Sequence, residues 1–88
     1  MAVFQVSYDL NKSNKNYNGL YEELKKTSWA HILDSTWLIS TSEDATQLRD
    51  RLKTQIDSND TLFVSRVYKD QYDGWLAQMF WDWLAQEL

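Results

Sequence analysis

The chain has 88 residues, 43% apolar and 15% aromatic, with nine Lys and Arg against thirteen Asp and Glu for a net charge of −4. This globular composition fits a single domain over residues 1–88. The absence of Cys and the single His exclude a disulfide framework, a thiolate metal site, a cysteine nucleophile and any one-chain site built on two imidazoles. The acidic balance argues against broad charge-driven nucleic-acid binding and leaves room only for a local basic patch.

Residues 2–9 alternate, with Phe4, Val6 and Tyr8 on one face and Val3, Gln5, Ser7 and Asp9 on the other, which predicts a half-buried strand. Residues 10–16 are dense in Asn and Ser and read as a loop. A helix is expected from Tyr17 or Asn18, with Leu20, Tyr21 and Leu24 on one face, Glu22 and Glu23 early, and Lys25 and Lys26 in its last turn. Residues 29–41 are aromatic and β-branched around Asp34-Ser35 and predict two short strands joined by a tight turn. A second helix opens at residues 41–44, capped by Thr41 or Ser42, with Ala45, Leu48, Leu52 and Ile56 at helical spacing. The turn at residues 57–60 ends it, residues 61–68 form a last strand, and residues 75–88 read as a C-terminal aromatic helix.

The predicted class is α+β: a ferredoxin-like βαββαβ sandwich with an additional C-terminal helix. In that arrangement the first and third strands are central, the fourth lies beside the first, and two helices share one face. The other sheet face is left for the C-terminal helix or a second protomer to cover. No basic leader precedes an apolar run and no stretch approaches ~18 apolar residues, so the expectation is a cytoplasmic protein with no membrane partner.

Residues 6–9 at the end of the first strand, the short helix, and residues 29–39 together resemble the small bacterial and phage proteins labelled SinR family. These are similar in turn to the CRISPR-associated protein two and virulence-associated protein D superfamily. The resemblance to the SinR-labelled group covers nearly the whole chain; to the wider superfamily it covers the strand-helix-hairpin-helix-strand core, with Tyr8-Asp9 as its one sharp motif. It implies a homodimer in which Asp9 of each copy holds a divalent metal, Mg²⁺ or Mn²⁺, that activates water against a phosphodiester. Asp9 is then the catalytic and metal residue of an endoribonuclease or deoxyribonuclease. Many superfamily members bind nucleic acid without cutting it, and this chain lacks the strongly basic surface of the nucleases.

Read from the residues alone, Asp9 before an Asn-rich loop also suits a turn-shaping acceptor of backbone N–H bonds. Gln5 and Ser7 beside it make a polar stripe on a central strand, which suggests water, a polar interface or a ligand over that face. Ser7, Asn11, Lys12, Lys15 and Arg66 are the candidate nucleic-acid or nucleotide contacts, although antiparallel pairing carries Arg66 and Lys69 toward the other end of the sheet. His31 reads as a packed or hydrogen-bonded structural residue. In the last helix the apolar arc is wider than one packing face needs. This makes Trp75, Met79, Trp81 and Trp83 the candidate interface, with homodimerisation the simplest use. The rival expectations are a non-catalytic sponge for a phosphate-bearing signalling nucleotide and a protein-protein interaction module centred on the aromatic helix.

Overall fold

The structure is a computed structural model that describes residues 1–11 and 16–88. Its elements run β1 (Ala2–Asp9), α1 (Asn18–Leu24), β2 (Ser28–Leu33), β3 (Thr36–Thr41), α2 (Ala45–Lys53), β4 (Thr61–Val67) and α3 (Gln78–Glu87). The four strands form one antiparallel sheet in the order β2-β3-β1-β4. Because β1 and β2 both oppose β3, they are parallel to each other and α1 connects them. In the same way β3 and β4 both oppose β1 and are joined by α2.

Strand alternation divides the molecule into two layers of apolar packing. Phe4, Val6 and Tyr8 of β1 face inward with Trp37 and Ile39 of β3 and meet Leu20 and Leu24 of α1 and Leu48 and Leu52 of α2. Full burial of each such leucine contributes about 2 kcal/mol. On the other face Val3, Ala30 and Leu38 pack against Leu84 of α3, flanked by Phe80, Trp81 and Trp83.

Several local details differ from the sequence reading. The cap of α2 is Asp44, not Thr41 or Ser42: Asp44 Oδ1 accepts the Gln47 N–H at 2.8 Å while Gln47 Oε1 accepts the Asp44 N–H at 2.9 Å. Thr41 is unavailable because it still pairs with Ala2 in the sheet, and its hydroxyl accepts the Glu43 N–H at 3.2 Å. Lys25 and Lys26 fall just beyond α1 rather than in its last turn, and β4 stops at Val67. The last helix begins at Gln78 rather than residue 75, because Ala77 is extended. The Trp81 indole N–H donates back to the Leu76 carbonyl at 3.2 Å, which ties the approach segment to the first turn.

Arg51 locks α2 to α1. Its Nη1 donates to the Glu23 carbonyl at 2.6 Å, and its Nη2 lies 2.8 Å from Glu43 Oε1. The hydrogen bond from Arg51 holds the Glu43 carboxyl below the usual range. Glu23 is lowered first by Lys26 and then by Arg51.

Candidate functional site

The pleat that sends Phe4, Val6 and Tyr8 to the core turns Gln5, Ser7 and Asp9 to the opposite face. Their register partners there are Leu38 and Thr36 on β3 and Ser65, Phe63 and Thr61 on β4. Helix α3 covers only the end of this face around Val3, Ala30 and Leu38. At the other end Ser7, Asp9, Thr36, Thr61 and Phe63 line a shallow depression, with the Phe63 ring 66% exposed.

The polar groups of this depression are partly engaged with one another. Ser7 Oγ and Thr36 Oγ1 share a hydrogen bond at 3.0 Å, and Gln5 Nε2 donates to Ser7 Oγ at 3.2 Å. Asp9 is exposed at the strand end, paired in register with Thr61. Its neighbour Tyr8 points the other way, into the core, where the Trp37 indole N–H donates to its hydroxyl at 2.9 Å and burial pushes the phenol pKa up.

The other sequence candidates are distributed over the molecule. The Asn11 amide is used within the fold: its backbone N–H donates to Asp60 Oδ1 at 2.7 Å and its Nδ2 to the Asn59 carbonyl at 2.8 Å. Lys12 and Lys15 lie outside the described residues. Arg66 pairs with Phe4, five residues along β1 from Asp9 and so roughly 17 Å away. Its guanidinium sits 4.7 Å over the Tyr68 ring. Of the described candidates, Ser7 and Asp9 share one depression.

Of the aromatic helix residues, Trp83 donates its indole N–H to Ser28 Oγ at 3.1 Å, and Trp81 stacks with Tyr72 at 6.4 Å between centroids. Both pack on the α3 side of the sheet. Trp75 is fully exposed and Met79 is 67% exposed. His31 stacks on Trp37 at 4.1 Å, and its Nε2 lies 3.1 Å from the Asp34 carbonyl oxygen. It belongs to the helix-covered side of β2, apart from Ser7 and Asp9.

Two residues escaped sequence reasoning. Asp60, buried in the turn before β4, accepts from the Tyr17 hydroxyl at 3.0 Å and from the Asp57 N–H at 2.8 Å as well as from Asn11. It is the acceptor that anchors the chain beyond Asp9, the duty the sequence had suggested for Asp9. Phe63 carried a signal that could have found it: alternation along β4 places it with Ser65 and Val67, away from Leu62 and Val64.

No protein-family model and no solved structure matches the chain. The chemistry of the depression follows from its groups alone. The Asp9 carboxylate and the hydroxyls of Ser7, Thr36 and Thr61 beside the Phe63 ring, with the Gln5 amide bonded to Ser7, can hydrogen-bond and stack a planar ligand. The single His lies on the other face of the sheet, so no imidazole base is at hand to activate Ser7 or Thr36. Among the described residues no three carboxylates or imidazoles gather for a metal ion. Asp9 by itself offers a hard divalent ion one carboxylate, with waters and substrate oxygens left to complete the shell. Among the described residues no helix is long and apolar enough to cross a membrane.

Proposed function

We propose that the chain is a ferredoxin-like homodimer that binds nucleic acid or a nucleotide through the uncovered end of its outer sheet face. The strand order, read from the opposite edge as β4-β1-β3-β2, supports the ferredoxin-like assignment, as do the two split β-α-β units it implies. The observation that carries the binding reading is Phe63, exposed on a sheet face beside the Ser7–Thr36 hydroxyl pair and Asp9. Aromatic rings on an open sheet stack unpaired bases, and neighbouring hydroxyls and amides bond their edges. Pairing the face with its twin would add a second carboxylate to Asp9 for a divalent metal. When bound, the metal supplies Lewis-acid polarisation of a phosphodiester and an activated water; Asp9 holds it, while Gln5, Ser7 and Thr36 orient the substrate.

The test is titration of labelled single-stranded RNA, single-stranded DNA and mononucleotides, with and without Mn²⁺, alongside sedimentation to fix the oligomeric state. Phe63→Ala should weaken binding about tenfold, the loss of one stacked base, and Asp9→Asn should remove any metal dependence and any cleavage. Absence of binding, or binding indifferent to Phe63→Ala, overturns the reading. A strict monomer removes its metal part. The exposure of Trp75 and Met79 favours a second reading, a protein-interaction module, under which Met79→Ser should abolish partner binding while Phe63→Ala leaves it intact.

A further inference from the structure

A second concavity lies on the outer face at its other end, where the segment between β4 and α3 passes over the sheet. Its volume is about 290 Å³, the small end of the range for ligand sites. Leu38 and Leu84 contribute to its apolar lining, Tyr72, Trp75 and Trp81 are its three aromatic residues, and Asp73 is the charged residue among those that line it. Among the described residues no Lys, Arg or His lines it, so the cleft offers nothing to neutralise a phosphate. A carboxylate among aromatic rings is instead complementary to an organic cation, attracted by the ring faces and by the negative charge.

Most of these groups are already held in place. The Trp81 indole N–H is bonded to the Leu76 carbonyl at 3.2 Å, and the Tyr72 ring stacks on Trp81 with 14° between planes. Asp73 Oδ1 accepts the Gly74 N–H at 2.8 Å, which fixes the carboxylate in the loop. Trp75, the remaining aromatic residue of the lining, is fully exposed. Preorganised walls reduce the ordering cost of binding a small head group.

We propose that this cleft is a binding site for a methylated ammonium head group. Gln5 and Thr36 border both this cleft and the Ser7–Asp9 depression, but Phe63, Ser7 and Asp9 do not line it, so Phe63→Ala tests the nucleic-acid reading and Asp73→Asn and Trp75→Ala test this one. Choline and its neutral carbon isostere, 3,3-dimethylbutan-1-ol, are titrated into the intact protein while the Trp81 indole N–H resonance is followed by NMR. Choline should bind saturably and at least about fivefold tighter than the isostere, the margin expected of a desolvated cation over aromatic rings. Asp73→Asn, which keeps the acceptor for Gly74, and Trp75→Ala, at a fully exposed position, should each weaken choline at least about threefold with an unchanged fold by circular dichroism. A response to choline that does not saturate by roughly 50 mM, a smaller margin over the isostere, or wild-type affinity in both variants overturns the proposal. Parallel titration of Nε-trimethyllysine separates the two sources of such a head group. Tighter binding than choline assigns the site to a modified lysine, and weaker binding to a free small molecule.

Discussion

The two faces of the sheet are built from the same strands yet differ in how they are closed. The inner face meets two helices, and Leu20, Leu24, Leu48 and Leu52 lose all contact with solvent there. The outer face meets α3, which packs on Val3, Ala30 and Leu38, and the segment before it, while Ser7, Asp9 and Phe63 lie in the open depression beyond. One face is committed to stability; the other keeps hydroxyls, a carboxylate and aromatic rings within reach of solvent. A small sheet protein can separate holding itself together from meeting a partner simply by covering one face more fully than the other.

That contrast makes graded predictions. Leu48→Ala, on the core-facing side of α2, should cost about 3–5 kcal/mol, whereas Leu84→Ala should cost about 2–3 because α3 can shift onto the space it leaves. Urea unfolding of both variants checks the order, and equal losses would break the distinction between the faces. Asp60→Ala should cost about 1–3 kcal/mol by the same measurement, since the Asn11 and Asp57 N–H groups and the Tyr17 hydroxyl lose their acceptor.

Arg51→Met should cost about 1 kcal/mol at neutral pH. Glu43 and Glu23 are held below their ordinary value of 4.5 in the fold. A carboxyl lowered in this way stabilises the native state above its unfolded value and loses that contribution as pH falls through the folded value. The Arg51→Met deficit should therefore be full above pH 5 or so and shrink on acidification below 4.5, as followed by thermal melts across pH. The smallest effect belongs to the open face: Phe63→Ser should change stability by no more than about 0.5 kcal/mol. A larger loss by urea unfolding would show that the ring is part of the packing and not held open for a ligand.

The elements most legible in the chain were those where periodicity and burial agree. Alternation through residues 2–9 placed Phe4, Val6 and Tyr8 inside and Gln5, Ser7 and Asp9 outside, and Leu48 and Leu52 marked the buried stripe of α2. The cap of α2 was misplaced because Thr41, Ser42 and Asp44 are all good caps by residue type. The choice turned on how far β3 extends, which is decided by its pairing with β1. The start of α3 moved for a similar reason. Trp75 fits an apolar helix arc, but the bond from Trp81 to Leu76 and the extended Ala77 keep the chain from winding before residue 78.

For the site, the polar stripe on β1 was visible because a central strand rarely carries Gln, Ser and Asp on one face without a reason. Its neighbours were not, since Thr36 and Phe63 come to Ser7 from strands 29 and 56 residues away and only the registers bring them together. Local chemistry in the sequence thus determined the helices, the strands and which face of each is apolar, through side-chain period and turn preference. Tertiary structure decided what stands beside Asp9, that Asn11 serves Asp60, that Arg66 lies at the far end of the sheet, and that α3 stops short of covering it. Those outcomes depend on strand register and helix docking, which are set by contacts between residues distant in the chain and have no local signature.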